Sequence, residues 1–266
     1  MKKVKTLILR TAGTNCDVET AHAFKLAGSE PDLVHINSVV KDSSLLKKYD
    51  ILAIPGGFTY GDDIASGKIL ANELKNFILP ELTKFVESGK PIIGICNGFQ
   101  VLVKMGLLPD TKRKRAGKVE STLSLNNSGK FEARWVYLKK DPAAIKCVWT
   151  RGLPDTIFLP VAHGEGKFIP ADDDILMSLR ENGQIVLRYS DPDGRKPAYP
   201  SNPNGSVDDI AGISDPSGHI FGLMPHPERH VAFTQHPHWQ RTIDRSSLGA
   251  GLQIFKNGVN FVRMNG

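Results

Sequence analysis

Cysteine is scarce in this chain: three in 266 residues, Cys16, Cys96 and Cys147, with no two spaced as a CxxC pair. An odd and scattered set excludes a disulfide framework and a structural zinc site, and leaves at most one thiol for catalysis. No apolar run approaches the roughly 20 residues of a membrane-spanning helix. Met1-Lys2-Lys3 leads into a short strand and not into the apolar region of a signal peptide. A phosphate-binding loop is missing too. The nearest candidate, Gly61-Asp62-Asp63-Ile64-Ala65-Ser66-Gly67-Lys68, puts five residues between its glycines, where the phosphate cradle needs four, and sets Ile69 where a hydroxyl must reach magnesium. An enzyme that uses ATP would have to keep that function on another chain. The basic run Thr111 to Lys118 lacks interleaved aromatics, which favours a solvated loop or docking patch over nucleic-acid binding. There is no internal repeat and no low-complexity tail. The chain reads as soluble and cytoplasmic.

With 40% hydrophobic residues, 266 residues can bury a full core, and the expectation is one α/β domain over residues 1–266. The formal charge of +6 suits an anionic substrate or an acidic partner without choosing between them. Val4 to Leu9 predicts a first strand, followed by a Gly-, Thr- and Asn-rich loop and a helix capped by Asp17 and stopped by Gly28. Strands at Leu33 to Ile36 and Ile51 to Ile54 follow, with a brief helix near Leu45 and Leu46 between them. A long helix over Ile69 to Glu87, interrupted by Pro80, leads to a strand before Cys96. Repeating βα units imply a doubly wound, mostly parallel sheet with helices on both faces and functional loops at the strand C-termini. Beyond Met105, strand-like segments at Phe131 to Leu138, Ile157 to Ala162, Ile185 to Tyr189, Ile210 to Ser214 and Ile220 to Met224 extend the sheet or add an antiparallel portion. Asp191 to Ser206, rich in Pro, Gly, Asn and Asp, predicts a long loop near the site. Leu252 to Val262 predicts a closing amphipathic helix.

The chemistry centres on Gly94-Ile95-Cys96-Asn97-Gly98. Pro91 to Ile95 is a buried strand by composition, while Phe99, Val101, Leu102 and Met105 recur at helical spacing, so Cys96 stands at a strand-to-helix joint. Glycines two positions to either side make this a nucleophile elbow with cysteine in place of serine. A helix start also offers free N–H groups and the positive dipole end, which favour thiolate. A buried cysteine is more often a small hydrophobe, but glycine spacing and element order argue otherwise here.

Such a nucleophile needs a base and a group to orient it. Two His-x-Glu pairs qualify, His163-Gly164-Glu165 and His226-Pro227-Glu228. Each follows an apolar strand, and residues two apart on extended chain project to one side, so each glutamate can touch its own histidine. Spacing does not decide between them. For the oxyanion, Pro55-Gly56-Gly57-Phe58 can turn a backbone N–H toward Cys96, and the Asn97 N–H is the second natural donor.

Gly94-Ile95-Cys96-Asn97-Gly98-Phe99-Gln100 together with His226-Pro227-Glu228 resembles the class I (triad) glutamine amidotransferases. The resemblance runs through nearly the whole chain. Arg10 to Asp17, Phe58-Thr59-Tyr60-Gly61-Asp62, Ala162-His163-Gly164-Glu165-Gly166, Tyr199 to Ser206 and Met224-Pro225-His226-Pro227-Glu228-Arg229 are similar to the purine-synthesis branch of that family. The likeness implies that Cys96 attacks the glutamine side-chain amide, His226 handles the protons and Glu228 orients His226. It implies Gly57 and Asn97 as oxyanion residues, Gln100 in the glutamine pocket, and no metal site. It also implies no cofactor in this chain. Ammonia would pass to a synthetase subunit, carrying ATP and magnesium, that converts formylglycinamide ribonucleotide to formylglycinamidine ribonucleotide, with a small accessory subunit beside it. The alternatives on the same fold are another class I amidotransferase, a cysteine peptidase or a γ-glutamyl hydrolase. Against the compact form of the family, additional residues stand around Lys112 to Lys118 and after Arg229, where His236-Pro237-His238-Trp239 has no evident role.

Overall fold

A computed structural model describes residues 2–112, 119–241 and 248–265. Most of the basic run, 113–118, lies outside the described residues. In chain order the elements are β1 (Lys5–Arg10), α1 (Asp17–Leu26), β2 (Glu30–His35), α2 (Ile36–Lys41), β3 (Ile51–Ile54), α3 (Lys68–Phe77), α4 (Leu79–Glu87), β4 (Ile92–Ile95) and α5 (Asn97–Met105). The second half continues with β5 (Ser121–Ser124), β6 (Glu132–Lys140), β7 (Thr156–His163), β8 (Lys167–Pro170), α6 (Asp173–Glu181), β9 (Ile185–Ser190), β10 (Ile210–Ser214), β11 (Ile220–Leu223) and α7 (Leu252–Asn265).

One sheet of nine strands organises the chain, in the order β2-β1-β3-β4-β11-β10-β9-β6-β7. The five strands from β2 to β11 run parallel. From β11 outward every pairing is antiparallel. The two halves are written differently in the sequence. β3 and β4 are buried at every position, as a parallel strand covered on both faces must be. β7 alternates half-buried and buried residues along its length, the pattern of a strand with one face on the core. Helices cover both faces, α1 packing with α7 and α3 with α5. The core between sheet and helices is filled by residues such as Phe24, Trp149 and Phe255, with Phe24 edge-on to both other rings.

Several boundaries differ from the sequence reading. The long helix breaks at Ile78, which leaves helical geometry (φ −129°), and Pro80 sits in the first turn of α4. Proline has no N–H to donate and its ring clashes with the carbonyl four residues back, so it starts a helix more readily than it continues one. Asp17 is the first residue of α1 and Cys16 occupies the cap position. β2 begins at Glu30 and ends at His35, with Ile36 opening α2. The brief helix expected near Leu45 is a 3₁₀ turn, Ser43–Lys48. The small sheet β5-β8 and helix α6 were not foreseen. α6 carried a readable signal, since the Asp172 side chain accepts from the Ile175 N–H at 2.8 Å, a standard N-cap. After Arg229, His236 packs against Trp135 and Phe158 with ring centres 5.8 and 5.4 Å apart. That gives the His-Pro-His-Trp segment a packing partner, the outer face of β6 and β7.

α7 offers a test of this packing. A Cβ on Gly258 would come 2.3 Å from the ring of fully buried Trp149. In an exposed helix, Gly→Ala stabilises by about 1 kcal/mol. Here overpacking of about 1–3 kcal/mol opposes it, so Gly258→Ala is expected to lower the urea unfolding midpoint. A raised midpoint would show that Trp149 moves aside freely.

Candidate active site

The site lies where β4 and β11 end side by side. These strands pair in parallel with Leu223 opposite Ile95, so Cys96, just after one strand, and His226, just after the other, meet although 130 positions separate them in the chain. Ligand sites of open α/β sheets form at such strand C-termini.

Cys96 has φ 52° and ψ −106°, a conformation an L-residue adopts only under constraint. The constraint is the approach of α5 to β3 and β4. A Cβ on Gly98 would lie 1.9 Å from the Ile54 carbonyl oxygen, and one on Gly94 would lie 2.6 Å from the Gly98 carbonyl. The thiol is 5% exposed and donates to the Ala162 carbonyl at 3.7 Å.

His226 Nδ1 and Glu228 Oε1 are 2.6 Å apart and both residues are buried. Burial disfavours the imidazolium, but the Glu228 carboxylate and the charge that Cys96 can carry outweigh it, holding the His226 pKa well above the ordinary value. His226 Nε2, the nitrogen left over, is buried without a hydrogen-bond partner. Gly56 leaves room beside both side chains: a Cβ there would be 2.8 Å from His226 Cε1 and 3.4 Å from Cys96 Cβ.

The other His-x-Glu pair is built differently. His163 Nδ1 faces Asn126 Oδ1 at 3.2 Å, while the Glu165 carboxylate accepts from the Ser66 N–H at 3.3 Å. Of the two histidines, only His226 therefore has its own glutamate as partner.

Beside Cys96, α5 carries a polar network. The Asn97 side chain accepts from the Thr59 hydroxyl at 2.7 Å and donates to Gln100 Oε1 at 2.9 Å and Asp62 Oδ1 at 3.2 Å. Gln100 Nε2 donates to the Glu165 carbonyl at 2.5 Å. Gly57, at φ 148°, lies against Thr14 in an isolated bridge, and the adjacent Phe58 N–H is taken by the Gly13 carbonyl at 2.9 Å.

Sequence reasoning gave no role to Cys16. Its sulfur sits 4.0 Å from His226 Nδ1 and accepts from Arg229 Nη2 at 3.0 Å. Burial raises its pKa, against the pull of His226. Among the described residues, Cys16, His226 and Glu228 alone bring three metal-capable atoms within 4.8 Å of one another. The 2.6 Å contact within that set is a hydrogen bond, which a cation between the two groups would displace. Asn204 and Ser206 were also unassigned. Asn204 Nδ2 donates to the Gly166 carbonyl at 2.8 Å and Ser206 Oγ to Asn204 Oδ1 at 2.7 Å, so the expected loop is clamped onto the His163 turn.

The family description "CobB/CobQ-like glutamine amidotransferase domain" fits residues 3–262. This chain belongs to that family. Among curated relatives of the amidotransferase, phosphoribosylformylglycinamidine synthase subunit PurQ of Dehalococcoides mccartyi is 51% identical over 264 residues, covering 99% of both chains. Its namesake from Methanococcus maripaludis is 44% identical over 271 residues and 97% of both. A chain of the solved PurLQS structure from Thermotoga maritima superimposes with a TM-score of 0.73 at 32% identity, covering 98% of this chain and 99% of that one. The amidotransferase thus matches these relatives nearly end to end, and the additional length expected around Lys112 to Lys118 and after Arg229 does not set it apart from the two curated ones, which are about as long as this chain.

The Glu228 contact makes a measurable difference. In Glu228→Gln the acceptor remains but the charge is lost, so burial gains weight and the His226 pKa should fall toward or below the ordinary value in an imidazole NMR titration. The sign for stability follows. With the folded-state value raised, protonated His226 supports the fold fully below the unfolded pKa of about 6.5. That support is lost as pH rises through the folded-state pKa, and Glu228→Gln should flatten the dependence. An unchanged titration would assign the raised pKa to Cys96.

Proposed function

We propose that this chain is the glutaminase subunit of phosphoribosylformylglycinamidine synthase, one domain spanning residues 1–266. The observation that carries the reading is the conjunction of a strained thiol at the elbow with a buried His226–Glu228 pair at the end of the adjacent strand. End-to-end similarity to subunits PurQ supports the specific assignment.

Each residue then has a role. Cys96 Sγ attacks the side-chain carbonyl carbon of glutamine, and the carbonyl electrons move onto oxygen. The Gly57 and Asn97 N–H groups receive that oxyanion, Asn97 doing so through its backbone because its side chain is engaged in the α5 network. The Cys96 proton is held on His226 Nε2 when the sulfur attacks, and His226 gives it to the departing nitrogen, while Glu228 holds the ring by Nδ1. Collapse breaks the C–N bond, releases ammonia and leaves a glutamyl thioester. Water, deprotonated by His226, attacks the thioester, and glutamate leaves with the thiol restored. Gln100 shapes the pocket by fixing the Glu165 carbonyl.

Similarity to a chain of PurLQS supports partners of two kinds, a synthetase subunit and a small accessory subunit. ATP and magnesium belong to the synthetase, which uses ammonia to convert formylglycinamide ribonucleotide to formylglycinamidine ribonucleotide in purine synthesis. The setting is cytoplasmic, and among the described residues no helix is long and apolar enough to cross a membrane.

Division of labour supplies the test. Cys96→Ala should abolish glutamine-dependent synthesis in the reconstituted complex and leave synthesis from ammonium salts intact. Loss of both activities in an assembled complex would remove Cys96 as a dedicated ammonia source. His226→Asn should slow thioester formation in a single turnover by roughly 10²- to 10⁴-fold, the usual range for a general base. Thioester formation at the wild-type rate would refute its role.

A further inference from the structure

His163 ends β7 enclosed on all sides, 3% exposed, and its neighbours fix its tautomer. The Asn126 side-chain amide donates to the carbonyls of Lys130 and His163, both at 2.8 Å, which makes Oδ1 the accepting end. That oxygen receives the Gly166 N–H at 3.1 Å and faces His163 Nδ1 at 3.2 Å. Opposite an atom that only accepts, Nδ1 must carry the proton, and Nε2 is a bare lone pair. It is buried without a hydrogen-bond partner, which is rare for a native polar atom and calls for an occupant.

The ring is held in place by its own turn, since a Cβ on Gly166 would come 2.4 Å from it. Gly166 is clamped in turn by Asn204. The preceding carbonyl, that of Ala162, is the one that accepts from the Cys96 thiol. Burial chiefly, with the charge of nearby His226, lowers the His163 pKa to about 4. At neutral pH the ring is uncharged, and Nε2 is an acceptor with no proton to give.

Beside a site that releases ammonia, this combination is selective. Ammonia must stay uncharged to act as a nucleophile elsewhere, so an acid on its way out would disable it, whereas an acceptor can hold one N–H and leave the nitrogen lone pair free. We propose that His163 Nε2 accepts a hydrogen bond from the ammonia released at Cys96 and is the first station on its way out of the site. The inference rests on the glutaminase reading above.

The test uses the complex reconstituted with its synthetase. Asn at 163 keeps the contact to Asn126 and removes the acceptor, whereas Gln can return an oxygen to the position of Nε2. In His163→Asn, thioester formation should stay within about threefold of wild type while free ammonia per synthesised product rises at least ~5-fold, a loss of retention and not of chemistry. His163→Gln should recover most of the retention, which a merely structural role would not predict. In the wild-type chain, the ¹⁵N resonance of Nε2 should report an unprotonated nitrogen and move when free ammonia is supplied. Wild-type retention in His163→Asn overturns the proposal, as does a protonated or unresponsive Nε2, which decides the matter even if the variant fails to fold. Failure of the wild-type chain to form a thioester would instead sink the glutaminase reading, and the inference with it.

Discussion

The backbone of Cys96 is the constraint on which the rest depends. A side chain held at positive φ is tolerated only where its surroundings over-determine it, and here they do so through two glycines that bring α5 onto β3 and β4 with nothing between. The Gly98 Cα rests on the Ile54 carbonyl and Gly94 on the Gly98 carbonyl. A strand of apolar residues buried on both faces anchors one side of the turn. A helix with nearly every residue buried anchors the other. Strain at one residue is thus balanced by burial along two elements, and the thiol stands clear of the sheet as the result.

Around this fixed point, the change from parallel to antiparallel pairing brings each histidine in by a different route. β11 is the last strand in parallel register with the first half, so the residues after it share a rim with Cys96. β7 lies at the far edge of the sheet, yet His163 reaches the same region from the side, through the turn into β8. Both rings are buried, but one faces a carboxylate and the other a carboxamide. The carboxylate, with Cys96, holds the His226 pKa up against burial, whereas burial and the charge of His226 lower that of His163.

The parallel half was legible in the sequence because its strands are short, continuous apolar runs: Ile51 to Ile54 matches β3 residue for residue, and the elbow stood out by glycine spacing. The antiparallel strands were picked out as short strand-like apolar segments, Ile210 to Ser214 matching β10 residue for residue. β5 and β8 escaped because four-residue strands such as Ser121–Ser124 carry too few alternations to register. In the site, Cys96 and the two His-x-Glu pairs were visible, but the choice between the pairs was not, since Asn126 lies 37 positions from His163 and no local pattern announces it. Cys16 was hidden for the same reason. Its proximity to His226 arises from strand order, and local spacing does not encode strand order.

Strand order also has a meaning in time. The ribosome delivers β1 to β4 and the elbow long before β11, because the last strand to join the parallel half comes from residues 220–223. In between it makes a hairpin and strands that pair with one another across the far side of the sheet. A contact between strands so distant along the chain forms late, after the loop-closure entropy has been overcome by local pairing. During synthesis Cys96 therefore exists without His226, and the edge of β4 that awaits β11 is open. An interrupted chain would carry a quiet thiol beside an unpaired strand edge, a hazard for aggregation more than for stray hydrolysis.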